Sequence, residues 1–201
     1  AGGSDIHTMD ASANNATIIV GGSMTIDANT IYSAAGSSTI TINDDFTNNG
    51  TFTHNNGTIA FENNTNVSTL TYSSATTFGD FEVIEGGKQL EFDNADQTNV
   101  AGSLTLSGTD CSTNRVFLDS DVNDSQFEFN LTGTVNSLNY LDVEDSNAIV
   151  ALTATNSTED DYGSNTNWTI DRGECATISF SISDNTIGYG DLTTSTDRYA
   201  T

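Results

Sequence analysis

Asp119-Ser120-Asp121-Val122-Asn123-Asp124 sets oxygen donors at alternating positions, as the first half of a calcium-binding loop does. Asp119, Asp121 and Asp124 are therefore the candidate metal ligands, and calcium is the ion that such hard donors suit. The stretch lacks the glycine and the distal acid that an EF-hand loop needs. Glu159-Asp160-Asp161 and Asp142-Val143-Glu144-Asp145 are further oxygen-rich turns. Acidic residues lining solvent-facing turns give the plainer account of all three, and that account is favoured.

Carboxylates could also do acid–base work. Hydrolysis of a neutral glycan needs two of them about 5 to 9 Å apart. With 28 Asp and Glu in the chain, some pairs fall at that spacing by accident, so no pair is marked out. His7 lies in a polar stretch and His54 in an Asn-Gly turn, neither beside a nucleophile-elbow pattern. Cys111 and Cys175 have no histidine near them in sequence, which leaves zinc and thiol chemistry without support. The expectation is no enzyme and no catalytic residue.

Several residues have a chemical reading and a plain one. Cys111 and Cys175 permit one disulfide, while free thiols and bridges between chains stay open. Lys88, the single lysine, could form an isopeptide crosslink, but Gly86-Gly87 before it suggests an ordinary turn lysine. Trp168 could stack on a sugar; beside Ile170 at the start of a short strand it is better placed to cap a core. Nine N-x-S/T sequons occur, against about six expected by chance in a chain with 23 Asn, 32 Thr and 22 Ser, so composition explains most of them.

Charge excludes whole classes of function. Lys88, Arg115, Arg172 and Arg198 are the only Lys and Arg, and the net charge is −24. Nucleic acid and anionic lipid both demand clustered cations, so neither is an expected partner. No apolar run approaches the ~18 residues of a membrane span. The opening AGGSDIH, without Met, suits a mature chain whose leader was removed, and the expected location is extracellular or the cell surface.

The elements that must carry these residues are strands. Thr17-Ile18-Ile19-Val20, Ser38-Thr39-Ile40-Thr41-Ile42 and Thr58-Ile59-Ala60-Phe61 begin a series of short period-2 runs. Residues 68–72, 78–84, 89–92, 103–106, 115–118, 126–131, 137–143, 149–152, 168–170 and 177–183 continue it. Thr suits the wet face because its branched Cβ fits a pleated strand. Asn-Gly and Gly-Gly pairs between runs supply turns that need positive φ. Helical spacing is nearly absent. With 35% apolar residues, the core must be thin and spread along the chain. Short strands, no proline and recurrent Asn, Thr and Ser at corners favour an all-β, elongated β-solenoid, a right-handed parallel β-helix, over a β-sandwich.

Phe46-Thr47-Asn48-Asn49-Gly50-Thr51-Phe52-Thr53-His54-Asn55-Asn56-Gly57-Thr58 resembles a motif of β-strand-repeat surface proteins of environmental bacteria. So do Thr77-Phe78-Gly79-Asp80-Phe81-Glu82-Val83 and Gly102-Ser103-Leu104-Thr105-Leu106-Ser107-Gly108. Leu138-Asn139-Tyr140-Leu141-Asp142-Val143-Glu144-Asp145-Ser146-Asn147-Ala148, with Asn165-Thr166-Asn167-Trp168-Thr169, is similar to the closing rungs of a parallel β-helix in such proteins. The resemblance spans residues 46–190. It implies an adhesin-like or surface-layer-like extracellular protein and little about activity.

These readings divide the chain into an N-terminal β region or cap (1–45), a solenoid (46–170) and a C-terminal β segment (171–201). Ile178, Phe180, Ile182, Ile187, Tyr189 and Leu192 form an apolar stripe in a segment of about 30 residues, too short to bury its own core. It can fold back on its own solenoid, tied by Cys111–Cys175, or add as a strand to the next copy. The expected role is a structural subunit of an extracellular filament or surface layer, a homopolymer joined by strand addition. The alternative is an adhesin module that binds surface glycan or protein.

Overall fold

Alternating side chains and frequent turns wind the chain into a parallel β-solenoid of seven turns. The computed structural model describes residues 6–13, 15–159 and 164–176. The chain enters through β1 (His7–Asp10) and then runs in coils of three strands. These are β2 (Ile18–Val20), β3 (Met24–Ile26) and β4 (Thr30–Ser33); then β5 (Thr39–Ile42), β6 (Phe46–Asn48) and β7 (Thr51–Thr53). β8 (Thr58–Phe61), β9 (Val67–Tyr72) and β10 (Thr76–Phe78) precede β11 (Asp80–Val83), β12 (Gln89–Phe92) and β13 (Thr98–Val100). β14 (Ser103–Ser107), β15 (Val116–Ser120) and β16 (Phe127–Leu131) follow, then β17 (Thr134–Asn139), β18 (Leu141–Val143), β19 (Ser146–Thr155), β20 (Thr158–Glu159) and β21 (Thr166–Asp171).

Every pairing among the described residues is parallel, which rules out the antiparallel sandwich. The middle strands stack as a seven-stranded face from β3 to β20. The first strands stack from β2 through β17. The third strands stack as β1-β4-β7 and then β10-β13-β16. β19, ten residues long, turns the last corner without a break and pairs with both β16 and β17.

The register places like upon like. Ile40 pairs with Ile59, Ile42 with Phe61, Leu70 with Phe92 and Leu90 with Leu118. In β9, Ser68, Leu70 and Tyr72 point inward while Val67, Thr69 and Thr71 alternate outward. The inward rows meet in one narrow core whose centre is phenylalanine. Phe92 and Phe127 stack with centroids 4.5 Å apart, and Phe46, Phe78, Phe81 and Phe129 continue the chain of tilted and edge contacts. β5 pairs with β8 in unbroken register, so residues on both sides of position 46 share one ladder.

Coils touch most closely at the corner where the third strand turns into the next coil. Gly57, Gly79, Gly102 and Gly133 stack there, each handing its position to the next by a backbone bond: Asp80 N–H to Gly57 O, Gly102 N–H to Gly79 O, and Thr134 N–H to Gly102 O. A Cβ on Gly133 would lie 1.6 Å from Gly102 O, so only hydrogen fits. Coils differ in length elsewhere. Ile40 is followed one coil on by Ile59, but Leu106 by Leu138, the difference including a loop at residues 108–115.

Candidate functional site

The metal ligands read from the sequence do not converge. Asp119 lies within β15 rather than in a loop, and its carboxylate accepts the Ser120 N–H at 2.7 Å. Asp121 lies past the strand end and accepts the Asn94 N–H at 2.9 Å. Asp124 takes a positive φ of 60° and donates its own N–H to Asp145 at 2.8 Å. Among the described residues, no group of three His, Cys, Asp or Glu side chains is placed to hold a metal ion. A calcium loop needs its donors turned to one point by one loop, whereas Asp119 belongs to a strand and Asp121 and Asp124 lie in the turn after it.

Register builds a different acidic feature. On the outer surface of the middle face, Thr69, Glu91 and Asp119 occupy one column across β9, β12 and β15. Val67, Gln89, Phe117, Asp142 and Thr158 occupy the next. Between them runs a shallow groove of about 150 Å³, to which Glu144 also contributes. The Thr69 hydroxyl donates to Glu91 at 3.5 Å, and Arg115 forms an ion pair with Asp142. Burial raises the Asp119 carboxyl above its usual range, against the Ser120 N–H bond, with the charge of Asp145 adding to the rise. Such a groove presents acceptors to hydroxyl-bearing ligands and repels anions.

Lys88 is not the turn lysine that its Gly-Gly neighbours suggest. Its side chain is fully buried, and Nζ donates to Asn63 O at 3.1 Å, Asn66 O at 3.1 Å and Ser68 Oγ at 2.6 Å. Asn63 has φ of 66°, which helps turn its carbonyl toward that ammonium. Burial draws the ammonium below its ordinary range, while Asp44 and Asp45 hold it up. His54 Nδ1 accepts the Asn56 N–H at 3.0 Å, and His7 lies exposed on β1. Trp168 packs on the core and donates Nε1–H to Ser146 Oγ at 2.9 Å, as a core-capping residue does.

The last described residues are fastened to the end of the stack. Cys111 and Cys175 form a disulfide, with Cα atoms 5.1 Å apart. Arg115 Nε donates to Cys111 O at 2.9 Å, and its guanidinium also reaches Asp142 and Thr158. The Tyr140 hydroxyl donates to Glu174 at 3.0 Å, and Glu174 N–H donates to Asn156 Oδ1 at 2.9 Å. Residues 173–175 are thereby held on the loop before β15, the link between β17 and β18 and the corner after β19. The apolar stripe Ile178, Phe180, Ile182, Ile187, Tyr189 and Leu192 lies outside the described residues.

At the first coil the core is only partly covered among the described residues. Among the described residues β1, β2 and β3 pair on one side only. Met9 sits in register above Tyr32, which is 4% exposed, yet Met9 itself is 58% exposed. Ile18, Val20 and Met24 lie above fully buried Ile40, Ile42 and Phe46 and are only partly covered.

Arg115, Tyr140 and Glu174 give no signal in the sequence, since the side chains they meet lie far off: Asp142 and Thr158 are 27 and 43 residues from Arg115, and Glu174 is 34 from Tyr140. Lys88 carried one clue: a lone lysine between two strand runs. Among the described residues no helix is long and apolar enough to cross a membrane. Comparison with protein-family models, curated proteins and solved structures found no match for this chain.

Proposed function

We propose that this chain is a structural subunit of an extracellular filament or surface layer, and that copies join when the C-terminal segment of one adds as a strand to another. One observation carries the reading: the disulfide to Cys111 and the hydrogen bonds of Glu174 to Tyr140 and Asn156 root residues 173–175 against three successive coils. The strictly alternating Thr177-Ile178-Ser179-Phe180-Ser181-Ile182-Ser183 therefore leaves from a fixed point. A rooted segment with a strand pattern loses less entropy on pairing than a free tail does. A disulfide also suits an oxidising, extracellular setting.

The test removes residues 177–201, which spares Cys175 and its bridge. Sedimentation velocity of the full chain is expected to show concentration-dependent polymers, and the truncated chain a single species. Equal polymerisation by both would overturn the reading. The groove holding Glu91, Phe117, Asp119 and Asp142 favours a second reading, a binding module for neutral glycans. A stable monomer retained on immobilised glycan, and released by Phe117→Ala, would support that reading instead.

A further inference from the structure

We propose that the Cys111–Cys175 bridge is a redox latch. A small dithiol reductant opens it in the folded protein and releases residues 172–176, while the solenoid stays wound. Release concerns those residues alone and does not depend on copies joining.

Three observations carry this. First, among the described residues the bridge is the one strong fastener of the segment. From Arg172 to Ala176 no residue is buried, and none belongs to the core. Beside the disulfide, the segment meets the coils through the Tyr140 hydroxyl on Glu174 at 3.0 Å, Glu174 N–H on Asn156 Oδ1 at 2.9 Å, and Cys175 Sγ against Asn156 O. The two hydrogen bonds are exposed, so water replaces them at little cost, and sulfur is a weak partner. Second, the ladders do not need the bridge. β12-β15-β18-β20 and β14-β17-β19-β21 pair residue by residue, and neither cysteine stands in them. Third, both sulfurs are placed for exchange. Cys111, in the loop at residues 108–115, and Cys175, in a single 3₁₀ turn, are each half-exposed. Exposed disulfides are the labile ones.

The moving partner is Cys175. Cys111 keeps its place when the bridge opens, because the Asp110 carboxylate accepts the N–H groups of Ser112 at 2.8 Å and Asn114 at 3.1 Å, and Arg115 Nε donates to Cys111 O at 2.9 Å. β21 stays paired with β19 as far as Asp171, so release begins at Arg172. In the first step a thiolate of the dithiol attacks one bridge sulfur, the Sγ–Sγ bond breaks and a mixed disulfide forms. The second thiol of the reductant then displaces the protein sulfur and closes a cyclic disulfide. Two electrons pass from the dithiol to the bridge, and its two protons end on the Cys111 and Cys175 thiols. A fixed Cys111 lets oxidation close the latch again.

Limited trypsin digestion of the full chain, oxidised and then treated with dithiothreitol at neutral pH without denaturant, tests this. Reduction is expected to expose both thiols and leave the circular dichroism of the strands unchanged. Cleavage after Arg172 should become faster by roughly tenfold or more, with the bonds after Lys88 and Arg115 still intact, and reoxidation should slow it again. The double variant Cys111→Ser, Cys175→Ser should be cleaved after Arg172 at the reduced chain's rate with no reductant present. Three results would overturn the latch. The bridge may yield only in urea; cleavage after Arg172 may run at one rate in oxidised, reduced and variant chains; or reduction may open the bonds after Lys88 or Arg115 as well, which would make the bridge a staple of the coils. Polymer formation is not read here, so strand addition can fail while the latch stands, and the reverse.

Discussion

Lys88 shows how one buried charge can hold a turn. Its ammonium satisfies the carbonyls of Asn63 and Asn66 and the hydroxyl of Ser68, which otherwise face a low-dielectric interior. Charge-assisted bonds of this kind are worth more than neutral ones, and stranded acceptors are costly. Lys88→Met should therefore destabilise the fold by about 2 to 4 kcal/mol in urea unfolding. A change below about 0.5 kcal/mol would show that the acceptors find water instead. Tyr72 sets an alkaline limit. It is 5% exposed, and burial lifts its hydroxyl well above the ordinary tyrosine range. The Thr98 hydroxyl, donating at 3.1 Å, works against that rise, and Asp93 adds to it. Because the folded pKa is raised, the contribution is complete below about pH 10 and is lost as pH climbs above it. Tyr72→Phe should flatten the fall in urea midpoint between about pH 9 and 11 relative to wild type. Parallel curves would contradict the assignment.

At the scale of elements, alternation such as Ile40-Thr41-Ile42 and Phe127-Glu128-Phe129 is visible in the sequence because it is local. A period of two marks a strand wherever it occurs. Register is not local. It depends on coil lengths that vary from the Ile40–Ile59 step to the Leu106–Leu138 step. For that reason the neighbours of Glu91 and Asp119, the Arg115–Asp142 pair and the acceptors of Lys88 could not be read from residue types. Asp119 shows the same limit: its spacing from Asp121 and Asp124 gives no sign that it closes a strand, Val116–Ser120, while they follow it. The glycine corner was visible only at Gly57, which stands in an Asn-Gly pair, whereas Gly79, Gly102 and Gly133 carry no such mark. Their stacking is what makes them irreplaceable. Gly133→Ala, which would bring a Cβ against Gly102 O, is expected to cost about 2 kcal/mol or more. The substitution Gly21→Ala, where nothing lies within 4 Å of the added carbon, serves as its control. Equal thermal midpoints for the two variants would mean that the corner relaxes freely.

For the whole molecule, the core column is only partly covered at both described ends. Residues 173–175 are fastened to three successive coils by a disulfide and hydrogen bonds, while Ile18, Val20 and Met24 in the first coil and Trp168 and Ile170 in the last are partly covered. A solenoid core is an open column, and unless both ends are covered it invites continuation. The seven-stranded middle face and one added coil set the length of a repeat. At about 4.8 Å per coil, that is an axial rise of roughly 40 Å per subunit. Electron microscopy of polymers formed by the full chain measures this rise directly. Polar filaments with a subunit rise near 40 Å and an unbroken strand ladder from copy to copy are the expected result; particles that stay single at every concentration, or that pair symmetrically and stop, would contradict the account.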